Sequence, residues 1–222
     1  MSSVLDKYTI MRPNEILDEY SDTDAKIIDH LESKGYELLG QGVDQTAFLE
    51  PGGKTVLKIF GTQNNVAMAP TGKQVKPKFS PDQKMFFIWA EYCNSHRDNP
   101  FLPKFSGFES FYWDGHVYLQ IRQEILQPLS RTIAVLSEEF NDFIAQGYSF
   151  KDAVQELEDY DPDELDTLVR ATGSMQSLKL FYRTIKEIDA IANKRGWTND
   201  LHADNFMSRG KNFPVIVDPW VV

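Results

Sequence analysis

The sequence has one cysteine, Cys93, in 222 residues. A lone thiol cannot close an internal disulfide or supply a cysteine-rich zinc site. No stretch approaches the roughly 18 consecutive apolar residues of a membrane-spanning helix. The opening MSSVLDKYTI lacks the basic and apolar segments of a signal peptide. Positive charge is scarce as well: 23 basic residues stand against 33 acidic ones, a net charge of -10. That balance argues against a general nucleic-acid binder, whose affinity comes from a net positive surface. Internal repeats and low-complexity tracts are also missing. These absences lead to the expectation of a cytoplasmic protein with neither nucleic-acid nor membrane partners.

What is present is the material for a core. Hydrophobic residues make up 41% of the chain and aromatic residues 13%, while 25% are charged. This is enough for one domain or two small lobes, and it is unlike a disordered acidic chain.

The pattern changes character along the chain. Residues 1–20 are mixed, contain Pro13, and are expected to wrap the surface. Ile27, Ile28 and Leu31 form the stripe of a helix from Thr23 to Lys34, with Asp22 as its cap and Gly35 as its stop. Strand-like segments follow at 36–40, 46–49 and 55–60, with Pro51-Gly52-Gly53 as a turn, so an antiparallel meander is expected. Residues 61–80 read as a mobile polar loop carrying Lys73, Lys76 and Lys78. Ser80, Pro81 and Gln83 then spell a capping box with proline at the first helical position. The helix they open carries Phe86, Phe87, Ala90 and Cys93 and is expected to end at Pro100. Segments 105–113 and 116–126 flank Asp114-Gly115, a hairpin signal.

Past Gln127-Pro128 the pattern is helical: 131–146, 150–160, and 163–194 with a break near Gly173. Between Glu138 and Asp166 acidic residues crowd together and Lys151 is the only basic one. Such a run is a solvated acidic face or, as the sharper alternative, a surface for a basic partner. Short strands return at 205–207 and 215–217, around a turn at Ser208-Arg209-Gly210-Lys211.

Four pieces carry chemistry. Gly40-x-Gly42 sits in a strand-turn-strand, where backbone amides can approach phosphate oxygens. A strand follows it, not a helix, which argues against a dinucleotide fold. Lys58 stands alone in an apolar strand; it points to solvent or reaches phosphate with a carboxylate holding it, Glu91 before Asp82. In Asn199-Asp200-Leu201-His202-Ala203-Asp204-Asn205, an aspartate precedes an amide by five residues. Asp200 can accept a proton from an attacking hydroxyl, and Asn205 offers a hard oxygen to a divalent ion. Asp218 ends an apolar strand and is expected beside Asn205 on a two-stranded ribbon, so that both converge on one ion.

In their order, the pieces GQGVDQTAF, VLKIF, AEYCNSHRDNPFLPKF, NDLHADNFM and VIVDPW resemble the protein-kinase-like fold. DLHADN is similar to the loop of aminoglycoside and other small-molecule kinases. The ending NFM…VIVDPW resembles the early serine/threonine kinases of T7-like bacteriophages. The resemblance covers residues 36–222 and implies an α+β, bilobal class. In it, 36–126 form a five-stranded antiparallel N-lobe with one main helix, and 127–222 a truncated, mostly helical C-lobe. Residues 1–35 are then an N-terminal extension. It also implies ATP with Mg²⁺ or Mn²⁺. Gly40, Gly42 and Val43 would cover the nucleotide, and Lys58 and Glu91 would form the phosphate-orienting pair. Backbone from Glu124 to Leu126 would meet adenine. Asp200 would be catalytic, with Asn205 and Asp218 as metal ligands.

Departures from the family pattern qualify the expectation. Gln45 replaces a loop glycine, Thr198-Asn199 replaces the His-Arg before the aspartate, and Pro219-Trp220 follows Asp218 where a glycine is usual. The sequence stops four residues after Asp218, so the family's activation segment and later helices have no counterpart in it. The resemblance points first to a minimal serine/threonine protein kinase, viral in character, acting on host proteins in the host cytoplasm. Leu201-His202 supports a small-molecule phosphotransferase as the alternative. The non-enzyme alternative is a kinase-like module that binds and inhibits a protein target through the acidic helices. His202 is assigned no catalytic role, and Asp204 is read as loop surface ahead of an extra metal-side carboxylate.

Overall fold

Alternating apolar residues in short segments need a second layer on each covered face. The computed structural model describes residues 23–41, 45–61, 79–113 and 116–221. The expectations for residues 1–20, Asp22, Gly42, Val43, Lys73, Lys76, Lys78 and Asp114-Gly115 lie outside these residues. The chain divides into two compact units. One takes the residues up to Ser95 together with Lys104–Ile125; the other takes His96–Pro103 together with the residues from Leu126 onward.

The first unit is a five-stranded antiparallel sheet in the order β1-β2-β3-β5-β4. Its strands are β1 (Glu37–Gln41), β2 (Thr46–Leu49), β3 (Thr55–Gly61), β4 (Phe105–Trp113) and β5 (His116–Glu124). The meander and the hairpin are both as expected from the pattern. Strand periodicity sorts β3 onto two faces. Leu57 and Ile59 join Phe48 and Tyr118 under Ile27 of helix α1 (Thr23–Ser33), with Ile28 and Leu31 packed alongside. Gly35, at φ 87°, ends α1 in the left-handed region. Phe60 packs on the other face against Phe86 and Phe87 of helix α2 (Pro81–Ser95), at ring-centroid distances of 4.7 and 5.3 Å.

The capping box forms in full. The Ser80 amide donates to Gln83 Oε1 at 3.1 Å, and the Gln83 amide donates to Ser80 Oγ at 3.0 Å. Gln83 Nε2 also donates to the Gly61 carbonyl, tying the helix start to the end of β3. Cys93 is buried, and desolvation pushes its thiol pKa well up, so it acts as a small core residue. On the α1 face, Arg122 bonds Glu50 at 2.7 Å beside a bulge in β4. Gly107 in that bulge has φ 62°, and a Cβ there would lie 2.7 Å from Arg122 Nη1. The left-handed backbone there favours glycine, and a Cβ would also displace the Arg122 guanidinium.

Helix α2 stops at Ser95, five residues before Pro100, because the segment after it belongs to the second unit. Asn99 Nδ2 donates to Thr184 Oγ1 at 2.8 Å, and the Ile216 amide donates to the Phe101 carbonyl at 3.0 Å. Arg209 donates to the carbonyls of Pro100 and Leu102. The Phe101 ring, fully buried, sits 4.9 Å from both Phe181 and Phe213.

The second unit is mostly helical: α3 (Arg131–Ala145), α4 (Phe150–Tyr160), α5 (Pro162–Thr172) and α6 (Met175–Arg195). The expected break near Gly173 is real. Gly173 ends α5 at φ 94°, and Ser174 caps α6 by accepting from the Ser177 amide at 3.1 Å. Two small sheets complete the unit. Strands β6 (Gln127–Pro128), β8 (Phe206–Arg209) and β9 (Phe213–Ile216) form one, in the order β6-β8-β9. Strands β7 (Thr198–Asn199) and β10 (Trp220–Val221) form the other. The ribbon expected as two-stranded therefore has a third strand, because Gln127 and Pro128 pair with Ser208 and Met207. A sheet of five antiparallel strands with one main helix, followed by a mostly helical unit, is the α+β architecture of a kinase-like scaffold.

Phe101→Ala should cost the second unit about 3–5 kcal/mol, the range for truncating a buried phenylalanine. Urea unfolding followed by far-ultraviolet circular dichroism measures it.

Candidate functional site: the loop from Asn199 to Asn205

The site is built by the return of the chain. After α6, β7 pairs with β10, placing Asn199 opposite Trp220. The next amide, of Asp200, donates to the Pro219 carbonyl at 2.9 Å. The loop then closes on itself. The His202 amide donates to the Asp200 carbonyl and the Asn205 amide to the His202 carbonyl, each at 2.9 Å. Residues 203–205 form one 3-10 turn, and β8 begins after it. The Val217 amide donates to the Asn205 carbonyl at 3.0 Å. Asp218 follows Val217 directly, so backbone bonds join the Asp200, Asn205 and Asp218 segments.

Two details differ from the sequence expectation. Asn205 lies in the turn before β8, and β9 ends at Ile216, so neither Asn205 nor Asp218 is on a strand. Asp218 is exposed, so the cost of burying a carboxylate is no reason for its place. The two segments are neighbours nonetheless, because the Phe206–Ile216 register continues to Asn205 and Val217.

Side chains add to this frame. Asn205 Nδ2 donates to the Asp200 carbonyl at 2.7 Å and to Asp200 Oδ2 at 3.3 Å. With its nitrogen turned to Asp200, the Asn205 amide directs its oxygen away from that residue. His202 Nδ1 accepts from the Asp204 amide at 3.3 Å, and its Nε2 lies 3.8 Å from Asp200 Oδ2. Asp204 is an exposed residue that meets exposed Arg131 at 3.5 Å, a contact of small energetic weight. Trp220 is buried and donates from Nε1 to the Ile188 carbonyl of α6 at 3.1 Å. Trp220 thus pins the segment that follows Asp218.

Among the described residues, no group of three histidine, cysteine, aspartate or glutamate side chains is placed to hold a metal ion. The donor set at the loop is different: one amide oxygen and carboxylates. Mg²⁺ suits such a set, because it binds one or two protein oxygens and fills its octahedron with water and phosphate.

Of the remaining expected residues, the first unit holds Gly40, Lys58, Glu91 and Glu124. Lys58 Nζ stands 5.0 Å from the centroid of the Phe86 ring, on the α2 face of the sheet. Glu91 is exposed on α2. Gly40 is exposed in β1, and a Cβ there would meet nothing within 4 Å. Glu124 Oε1 accepts from the Lys104 amide at 2.8 Å, and the Glu124 amide donates to the Lys104 carbonyl at 2.9 Å. Leu126 is buried and belongs to the second unit.

Sequence reading missed Gln123. It is 6% exposed, and its Oε1 is buried with no hydrogen-bond partner. Lys58 pairs with Ile121 on β5, and residues two apart share a face, so Gln123 is on the same face as Lys58. An orphan amide oxygen there fits an N–H or O–H donor, such as a base amine or a sugar hydroxyl, and not a phosphate. Gln45 Oε1, beside the glycine segment, is also buried without a partner. A glutamine inside a β5 reading of His-Val-Tyr-Leu-Gln-Ile-Arg-Gln-Glu was the available signal.

The acidic run has structure too. Glu139 and Asp142 on α3 have raised pKa values. Partial burial is the main cause for both, and repulsion from Glu164, Asp142 and Glu138 adds to it at Glu139. Glu164 Oε2 on α5 is buried without a partner.

No protein-family model matches the chain, and no curated protein matches it.

A carboxylate whose folded pKa is raised binds protons more tightly in the folded state. Its contribution therefore favours folding as pH falls through that raised value and opposes folding above it. Glu139→Gln should accordingly raise the melting temperature at neutral pH and leave it unchanged in acid below the ordinary carboxylate range. Thermal unfolding across a pH series checks this.

Proposed function

We propose that the protein is an ATP-dependent phosphotransferase that uses Mg²⁺ or Mn²⁺, and that it acts as a minimal serine/threonine protein kinase. The observation that carries this reading is the joining of the Asp200, Asn205 and Asp218 segments by the Asp200–Pro219 and Val217–Asn205 backbone bonds. An aspartate, an amide oxygen and a second aspartate in that arrangement suit phosphoryl transfer, where positioning and charge neutralisation supply most of the catalysis.

Each residue has a task in this reading. Asp200 orients the acceptor hydroxyl and takes its proton. Asn205 Oδ1 and Asp218 hold the divalent ion, which bridges phosphate oxygens and offsets their charge. Lys58 serves the α- and β-phosphates, with Glu91 turning toward it. Gly40 leaves open space where backbone and phosphate approach. Gln123 Oε1 accepts from a donor on the nucleotide, which would satisfy its orphan oxygen. Backbone groups from Glu124 to Leu126 meet the base.

A protein acceptor is favoured over a small one by the acidic helices, whose charge suits a basic polypeptide. The resemblance to the early phage kinases adds a host protein in the host cytoplasm as the target. His202, 3.8 Å from Asp200, supports the second reading, a small hydroxylated acceptor, because a ring there could contact it.

Transfer of labelled γ-phosphate from ATP, with purified protein, Mg²⁺ and cell extract, tests the proposal. Label should reach protein bands and fall about 100-fold or more in Asp200→Ala. Label confined to a small hydroxylated compound would select the second reading. Transfer that is absent, or equal in the variant, would overturn both. Gln123→Leu offers a separate check. Removing an unsatisfied buried oxygen should stabilise the fold by about 1 kcal/mol while weakening ATP binding, as measured by denaturation and calorimetry.

A further inference from the structure

The loop from Asn199 to Asn205 is held from outside itself. Glu138 and Asn141 are three residues apart on α3 and so share one face of that helix. Glu138 Oε2 accepts from the Ala203 amide at 2.9 Å. Asn141 Nδ2 donates to the Leu201 carbonyl at 3.4 Å, and its Oδ1 accepts from Asn199 Nδ2 at 3.2 Å. Asn199 Oδ1 closes the circuit by accepting from the Leu201 amide at 3.0 Å. Asn141 is 6% exposed, and the Leu201 and Ala203 side chains are 3% and 4% exposed. A buried asparagine that satisfies both ends of its amide on one loop is a rigid connector.

The bonded groups are the ones that set geometry. Leu201 is the residue after Asp200. Ala203 lies midway between Asp200 and Asn205, and its amide points at a carboxylate, which makes the bond charge-assisted. The contacts internal to the loop, from His202 and Asn205, fix the loop's shape but not its place against a helix. The exposed Arg131–Asp204 contact is too weakly placed to do so.

We propose that Glu138 and Asn141 are positioning residues: α3 clamps the loop so that Asp200 and Asn205 keep a fixed separation and aim. The inference rests on the phosphotransfer reading for its consequence, but the clamp itself is a statement about the loop backbone. Neither residue touches the reacting groups, so the clamp acts through Ala203, Leu201 and Asn199. Misplacement of a reacting group by about 1 Å can cost on the order of 100-fold in rate, so loosening the loop should appear in turnover.

The test pairs amide hydrogen exchange over residues 199–205 with nucleotide affinity and transfer kinetics, in the full chain. Glu138→Ala should speed exchange at the Ala203 amide by about tenfold or more, the loss of a charge-assisted bond. Glu138→Gln keeps an acceptor oxygen and should restore exchange to within about threefold of the parent. Asn141→Asp keeps the side-chain shape and the acceptor toward Asn199 but removes the donor to Leu201. It should loosen the Leu201–Ala203 segment in the same direction, and it stands in if Glu138→Ala does not fold. Arg131→Ala should change neither readout.

In the kinetics, Glu138→Ala should lower kcat about 10–100-fold with ATP affinity unchanged, and Glu138→Gln should recover most of it. Unchanged Ala203 exchange in Glu138→Ala would overturn the clamp. So would equal damage from Glu138→Gln, or a loss seen wholly in ATP affinity. A parent protein that transfers no phosphate sinks the phosphotransfer reading, and the exchange rates then decide the clamp alone.

Discussion

Two backbone hydrogen bonds, Asp200 to Pro219 and Val217 to Asn205, hold the far ends of a short loop against the same returning segment. Everything proposed for the second unit depends on them. They bring residues eighteen positions apart, Asp200 and Asp218, into one neighbourhood without asking any charged side chain to be buried. The cost of taking carboxylates out of water is thereby avoided. The burial that secures the arrangement is delegated to neighbours: Leu201 and Ala203 inside the loop, and Trp220 just beyond Asp218.

The same separation of labour appears in the segment His96–Pro103. Helix α2 is part of the sheet unit, yet the residues immediately after it are committed to the other. Phe101 between Phe181 and Phe213 supplies the apolar anchor, while Arg209 satisfies two carbonyls that an irregular segment would otherwise leave exposed to an apolar interior. In the sheet unit the balance is reversed at Gln45 and at Gln123. Gln123 leaves a buried oxygen unsatisfied in an otherwise well-packed face. Natural cores seldom tolerate such an atom, and the loss there is the kind that a bound donor recovers.

Much of the fold was legible because its signals are local. The Ser80-Pro81-Asp82-Gln83 box, the Gly35 and Gly173 stops, and the period-2 runs of β2 and β3 each depend on residues within one or two turns of each other. Asp200, Asn205 and Asp218 were nominated from residue type and from the motif order of the resemblance, not from a local period. The end of α2 was not, since nothing near Ser95 states that Phe101 will be drawn to α6 and β9. The third strand beside β8 was also hidden: Gln127-Pro128 is too short to show a period, and proline there is tolerated only because it lies on an edge.

The sequence alone determined which segments are helices or strands and where most of them stop, and it nominated side chains for phosphate, metal and proton. These follow from backbone sterics and side-chain chemistry, which act over a few residues. Only the tertiary structure decided that α3 reaches the loop through Glu138 and Asn141, that Trp220 is a buried pin, and that Gln123 shares a sheet face with Lys58. Each of these is a contact between distant residues, set by register, helix facing and the satisfaction of buried polar groups, and no local pattern in the chain encodes such a pairing.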